Sequence, residues 1–398
     1  MLPVAFYPVL SRLFSHEDYA MYGLFFSVFS FLEIASAGRY DFGIVMPEKD
    51  DDAMNLVVGG LLISFAYSLL ILSLLFPLKD VLSSQLGNPQ LANWLFLIPM
   101  SLVLMSVTKL GNSWLLRKKE FRAASINKAS QKISEVSSQL TLGLLRSGNG
   151  LIIGDVVGRT LSAIVSLVQT LRSGFDLSKI NRSLIKANLL RFAELPKYGI
   201  VPSMLNSLGG LLPVFIVSSY YSVDISGSFN FSRIVLSVPF ALIATGISQV
   251  LMQEVSERKH FGLRIGKEMF SLVLKLAVLS LLALAVLYFF APPLFVLVFG
   301  LKWRVAGEYT SILMFSTAIS FVVSPFSILL VILGRIRLLS LWQALYFVSI
   351  SLLWLIRDSS IENFLIALTF VDGVCYLIYG TLIFVAIKGY DKSVSKDA

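Results

Sequence analysis

The chain is written in long apolar runs separated by short polar segments. Eleven runs are each long enough to cross a bilayer as a helix: 19–37, 54–77, 91–116, 123–145, 150–171, 198–221, 225–252, 269–291, 309–333, 338–356 and 362–387. The requirement is about 20 residues, because a helix rises about 1.5 Å per residue against about 30 Å of hydrocarbon. Residues 1–10 are also apolar but reach only about 15 Å as a helix. They read as the second half of a span whose first half is missing. No charged segment or cleavage site precedes them, so they are not read as a signal peptide. Membrane helices satisfy their backbone within each segment. The pattern therefore predicts an all-α polytopic membrane protein with eleven full spans and a truncated first helix.

The polar segments fall into two alternating sets. One set holds twenty-two of the 33 Lys and Arg, including Arg117, Lys118 and Lys119, then Arg258 and Lys259, and the tail Lys388, Lys392 and Lys396. The other holds only Arg12, Lys79, Arg146, Lys302, Arg304 and Arg357. Cytoplasmic loops carry the excess of positive charge, which places the richer set and the C-terminus in the cytoplasm. A missed or invented span would scramble this alternation. The longest polar segment, 172–197, separates six spans from six. Its Ile180, Leu184, Ile185, Leu189 and Leu190 recur at helical spacing beside Arg182, Lys186 and Arg191. That is the signature of an amphipathic helix on the cytoplasmic leaflet, with a solvated linker as the plainer reading. The expected organisation is an N-lobe over 1–172, a cytoplasmic amphipathic linker over 173–197, a C-lobe over 198–388 and a cytoplasmic tail over 389–398.

Composition narrows the function classes. The chain is 56% hydrophobic and 14% charged, with mean hydropathy +0.79. A soluble domain of that balance would expose large apolar patches. The net charge of +9 is distributed by topology, so nucleic acid is not an expected partner. With Cys375 as the one cysteine no intramolecular disulfide forms, and it reads as a small core residue. His16 and His260 are the two histidines, both in loops, and with one cysteine they do not make a usual zinc site. No Gly-rich loop ending in Lys and Ser/Thr is present, and no Ser-His-acid set is credible. No enzyme activity, metal or cofactor is expected.

The charges inside the spans need a reason, because each costs about 3 kcal/mol or more at membrane depth and is usually turned inward. Arg159 follows Asp155 by one turn, and Glu135 follows Lys132 by three residues, so each pair can meet on a helix face. Asn127, Gln131, Ser134 and Ser138 make one face of the same helix polar, and a polar face must look at protein or water. Glu33, Arg39, Arg233 and Asp372 complete the set. Lys109 and Lys275 lie nearer the cytoplasmic ends and are read as snorkelling. The bland reading of all these charges is structural ion pairs that lock helices together. Pro99, Pro202, Pro239, Pro325 and Gly209-Gly210 permit bends within spans.

An internal echo joins the two halves. PVLSRLFSHEDYAMYG from Pro8 and PVFIVSSYYSVDISG from Pro213 each place a proline near the end of a span, an acidic residue in a short turn and a glycine opening the next span. FPLKDVLSSQLGN from Phe76 pairs with APPLFVLVFGLKW from Ala291. Two homologous halves around a shared site are a common transporter plan. Add Arg39-Tyr40 with the run to Pro47, PSMLNSLGGLLP from Pro202, GSFNFSRIVLSVPFALIATGISQV from Gly227 and FGLKWRVAGEYTSIL from Phe299. With these elements in this order, the chain resembles the Wzx-type O-antigen and capsule polysaccharide flippases of the multidrug/oligosaccharidyl-lipid/polysaccharide exporter superfamily. It departs from them in lacking most of the first helix.

The resemblance implies a MATE-like pair of six-helix lobes in the bacterial inner membrane, working by alternating access. It implies translocation of a polyprenyl-pyrophosphate-linked oligosaccharide, with membrane lipids and a polysaccharide polymerase as partners. Arg39, Arg159, Arg233 and Lys132 are then the expected cavity cations, since guanidinium and ammonium donors offset the desolvation of a pyrophosphate. Glu33, Glu135, Asp155 and Asp372 are the expected coupling or ion-pair residues. The alternative in the same superfamily is a cation-coupled small-molecule exporter, which relies on acidic residues; the mixed, slightly basic deep charges argue against it. A membrane-embedded glycosyltransferase or polymerase would need a larger loop than any here.

Overall fold

The predicted full-length apolar runs are helical over most of their length, as backbone amides in hydrocarbon require. The computed structural model describes residues 2–397. In chain order the helices are α1 (Leu2–Leu13), α2 (His16–Ser36), α3 (Asp50–Gln85), α4 (Leu97–Arg117), α5 (Phe121–Leu144), α6 (Gly150–Arg172) and α7 (Arg182–Arg191). They continue with α8 (Glu194–Tyr220), α9 (Val223–His260), α10 (Gly266–Phe299), α11 (Arg304–Val323), α12 (Ser327–Ile332), α13 (Ile336–Ser351) and α14 (Ile361–Asp397). Among the described residues there is no strand. Nine helical stretches there are long and apolar enough to cross a membrane, with α11 and α12 counted as one, Leu301–Ile332. The other two predicted spans correspond to α4 and α5, of 21 and 24 residues, long enough to cross but more polar. Helix α5 carries Arg122, Lys128, Lys132 and Glu135.

The chain divides into two compact units, 1–227 and 228–398. In the first, α8 packs along α2, while α5 and α4 both pack on α6. The α6 surface explains why. Gly150, Gly154, Gly158, Ser162, Ser166 and Thr170 recur every four residues and are all buried. A Cβ on Gly154 would stand 2.4 Å from the Gln139 side chain, and one on Gly158 would stand 2.8 Å from Glu135 Cβ. Farther along the stripe the Ser162 hydroxyl donates to the Asn127 carbonyl at 3.1 Å, and Gly111 of α4 faces Ser166 and Thr170. Small residues let membrane helices approach closely, which is where their packing attraction comes from.

Helix α7 docks on α3. Asn55 donates to the Lys179 carbonyl at 3.0 Å and accepts from the Asn181 amide at 2.8 Å. Lys179 pairs with Asp51 at 3.0 Å, and Asn188 donates to Asp52 at 3.1 Å. Leu189 and Ile185 fill the space beside Gly59. The apolar residues of α7 are thus divided, with Ile185 and Leu189 toward α3 and Leu190 exposed.

The two turns of the internal echo meet. Ser15 caps α2 by accepting from the Asp18 amide, and Asp18 accepts from the Ser15 amide in return. His16 Nδ1 lies 3.9 Å from Asp224, and a Cβ on Gly227 would stand 2.1 Å from the His16 carbonyl oxygen. Only glycine fits there.

In the second unit α11 packs between α10 and α14, and α13 packs on α14. Phe231 of α9 sits against Phe299 and Trp303, with ring centroids 5.0 and 4.1 Å away. Trp342 of α13 stacks on Tyr379 of α14 at 3.9 Å. Such aromatic pairs add about 0.5–1.5 kcal/mol each beyond the area they bury.

Candidate functional site

The interior of the first unit holds a charged cluster built on α6. Asp155 and Arg159 stand one turn apart, with Oδ2 and Nη2 2.5 Å apart and both residues 2% exposed. The glycines of α6 bring α5 close, so Glu135 lies against the same surface. Glu135 is buried and pairs with the half-exposed Lys132 at 2.7 Å. Phe29 of α2 completes the cluster: the Arg159 guanidinium carbon is 3.3 Å from the centre of its ring. A desolvated contact of this kind contributes about 2 kcal/mol. Tyr22 of α2 senses the charges of Asp155, Glu135 and Arg159. Arg159 Nη1 is buried and has no hydrogen-bond partner among the described residues. The guanidinium therefore holds one carboxylate and one aromatic face and keeps a donor in reserve.

A second cluster lies one turn further along α2. Glu33 forms an ion pair with Lys109 of α4. Lys109 is therefore not a snorkelling lysine, because a carboxylate on the neighbouring helix neutralises it. Arg39 follows the end of α2 in the left-handed region, φ 61°, a conformation costing about 1 kcal/mol or more. Its Nη2 donates to Ser203 Oγ of α8 at 2.9 Å, and its guanidinium lies 4.7 Å from the Phe42 ring centre. Asp41, in the loop between α2 and α3, completes this group. Burial pushes its carboxyl above the ordinary carboxylate range, against the pull of Lys109 and Arg39. Phe29 and Glu33 are one turn apart, so one face of α2 carries both clusters.

The second unit has its own centre. Arg233 of α9 lies 5.6 Å from the Phe229 ring centre and within electrostatic reach of the Asp372 carboxylate. Asp372 of α14 accepts a hydrogen bond from the Tyr346 hydroxyl of α13 at 2.8 Å. Tyr346 stacks on Trp342 at 5.3 Å, and Trp342 Nε1 donates to the Cys375 carbonyl at 2.8 Å. Cys375 is buried.

The eight residues singled out from sequence thus fall into three groups. Asp155, Arg159, Glu135 and Lys132 form the first, Glu33 and Arg39 belong to the second, and Arg233 and Asp372 form the third. Sequence reasoning missed Phe29, Asp41, Ser203 and Tyr346. Phe29, Ser203 and Tyr346 carry no signal in one dimension, since aromatic and serine residues are ordinary in apolar helices, and a carboxylate such as Asp41 is ordinary in a loop. Among the described residues no cluster of His, Cys, Asp and Glu could hold a metal ion.

The sequence matches the family described as "Polysaccharide biosynthesis protein" over residues 9–308. It is 22% identical over 391 residues to the succinoglycan biosynthesis transport protein ExoT of Rhizobium meliloti (strain 1021), spanning 95% of this chain and 75% of that protein. Among solved structures, the fold is similar to an inward-facing multidrug resistance MATE family transporter of the MOP superfamily. The TM-score is 0.71 at 14% identity, over 98% of this chain and 94% of the other. It is also similar to the lipid II flippase MurJ in an inward closed conformation, with TM-score 0.68 at 14% identity, over 98% of this chain and 88% of the other. At such identities the likeness concerns the fold, and that fold is the MATE-like arrangement the sequence resemblance implied.

Proposed function

Because the chain belongs to the polysaccharide biosynthesis protein family, we propose that it is a flippase. Its substrate is a polyprenyl-pyrophosphate-linked oligosaccharide repeat unit, moved from the cytoplasmic to the outer leaflet of a bacterial inner membrane by alternating access. The observation that carries this reading is a deep arginine in each unit, Arg159 against Phe29 and Arg233 near Phe229. Charge at that depth is expensive and is kept for a purpose. A pyrophosphate entering a low-dielectric interior needs donors that replace its hydration, and a planar guanidinium offers several in a fixed fork. The reserve donor of Arg159 is such a group.

The state of the carboxylates supports the same reading over a cation exporter. Asp155, Glu135 and Glu33 are each held by a cation, Arg159, Lys132 and Lys109. An exporter of cationic compounds needs acidic groups that are uncommitted. The relative from Rhizobium meliloti, a transport protein of succinoglycan biosynthesis, supports a polysaccharide precursor as cargo. In this proposal residues 1–172 and 198–388 act as the two lobes, joined by the linker at 173–197. The loop charges put the C-terminus in the cytoplasm, and a polysaccharide polymerase receives the product.

The test is Arg233→Ala, expressed in a strain lacking its own copy of the gene. Polymer export should be lost while the protein still inserts into the membrane at normal level. Normal export by this variant would overturn the assignment of Arg233 to the substrate path.

A further inference from the structure

The second unit contains a trough of about 610 Å³ along α10, α11 and α14, and neither Arg233, Asp372 nor Tyr346 lines it. Its walls are apolar: Phe270 and Val273 from α10, Val323 from α11, and Leu377 and Phe384 from α14. Gly380 deepens it, since a Cβ there would already stand 3.3 Å from Val323. Phe270, Leu377 and Phe384 are more than half exposed or close to it, at 58%, 56% and 50%, so the trough opens sideways to whatever surrounds the helices.

One end of the trough is charged. Lys267, Lys388 and Asp391 lie there. Asp391 is occupied, because it accepts from the Ile265 and Gly266 amides at 2.9 Å each. It thereby caps the start of α10, and a Cβ on Gly266 would collide with it at 2.4 Å. The two lysines are exposed, and Lys388 reaches over the Phe384 ring at 4.5 Å. An apolar trough that ends in two ammonium groups, with the nearby carboxylate engaged by backbone, matches an amphiphile with an anionic head. A neighbouring cleft of about 600 Å³ between α9 and α10 also contains Lys267, together with Lys275. It matches less well, because Glu254 and Glu268 line it too, each paired with Arg258, and set two carboxylates beside its lysines.

We propose that this trough is a binding site for an anionic phospholipid of the bilayer. Acyl chain lies along α10 and α14, and the phosphate sits between Lys267 and Lys388. Two point-charge ammonium groups suit a single phosphate. The site is separate from the arginine centres and is independent of what the protein transports.

The test uses the full chain, purified and stripped of lipid in detergent, then mixed with phosphatidylglycerol or phosphatidylcholine and weighed by native mass spectrometry. Wild type should retain phosphatidylglycerol in preference to phosphatidylcholine. The double variant Lys267→Gln, Lys388→Gln should lose retention of phosphatidylglycerol by about tenfold or more, and both lysines are exposed enough to be replaced without disturbing the fold. Gly380→Leu, which fills the trough and leaves the lysines in place, should lose it as well. Equal retention of the two lipids by wild type, or unchanged retention of phosphatidylglycerol by both variants, would overturn the proposal. Tighter retention of polyprenyl phosphate than of phosphatidylglycerol would overturn it in favour of the carrier lipid.

Discussion

Replacing Arg159 by methionine leaves the Asp155 carboxylate 2% exposed with no cation one turn away. Stranding a buried charge by removing its partner costs about 3–5 kcal/mol. Losing the contact with Phe29 adds up to about 2 kcal/mol. Polar contacts between membrane helices are worth only about 0.6 kcal/mol on average, but those values describe neutral pairs whose loss leaves no ion behind. The stranded ion decides the outcome here. In a unit of the size of 1–227, a combined loss of about 3–7 kcal/mol lowers the apparent Tm by on the order of 6–28 °C, at about 2–4 °C per kcal/mol. Removing both charges together, with Asp155→Leu and Arg159→Met, should restore most of that stability, since an apolar pair of similar volume is usually neutral or better. The assay is thermal unfolding of the detergent-purified protein followed by size-exclusion chromatography, run beside polymer export in cells. The single variant should be unstable, and the double variant should be stable but unable to export. A single variant that melts with wild type would refute the stranded-charge reasoning. A double variant that melts with wild type and exports normally would refute Arg159 as a substrate contact.

Two further predictions address the frame around the charges. Gly158→Leu places a side chain 2.8 Å from the Gln131 carbonyl oxygen and Glu135 Cβ, so α5 must leave α6 and folded protein should vanish from the membrane fraction. Gly246→Leu has open space within 4 Å and serves as the tolerated control; equal yields of the two variants would refute the close-approach argument. Arg117 donates to Asp50 at 2.9 Å and to the carbonyls of Pro47 and Glu48 at 2.5 and 3.1 Å, so it clasps the loop between α2 and α3. Arg117→Ala should cost on the order of 3 kcal/mol and open residues 44–49 to protease, and unchanged cleavage there would count against the clasp.

What could be read from the sequence was whatever a single helix determines. The apolar runs integrate hydropathy over many residues, so α2, α3 and α6 were legible from composition alone. The Asp155–Arg159 and Lys132–Glu135 pairs were legible because helical spacing fixes them. Contacts between helices were not. Arg39 meets Ser203 across 164 residues, and Tyr346 meets Asp372 across 26. Such pairings depend on which faces pack, which a hydropathy profile does not encode. Lys109 was misread for this reason, since its partner Glu33 is on another helix. Gly154 and Gly158 stand out in no hydropathy profile, yet they are the points where α5 touches α6, whereas a Cβ on Gly210 would meet open space.

The pairing of the deep charges bears on how a flippase of this kind would handle a pyrophosphate. If Arg159 and Arg233 stood bare, each would carry the full penalty of an uncompensated ion at membrane depth. Instead Arg159 is bound to Asp155, and Arg233 lies in the field of Asp372, which Tyr346 also engages. An arriving phosphate would then compete with a resident carboxylate for the same guanidinium. The net gain is the difference between two charge-assisted contacts rather than the whole of one, and that difference is small. A small difference is what transport requires, because a substrate held with the full strength of a buried ion pair would not leave on the other side. On this argument Asp155→Asn should tighten retention of the lipid-linked substrate while slowing its release, so that binding rises as export falls. An Asp155→Asn protein that binds less substrate than wild type would mean that the carboxylate positions the arginine and does not compete for it.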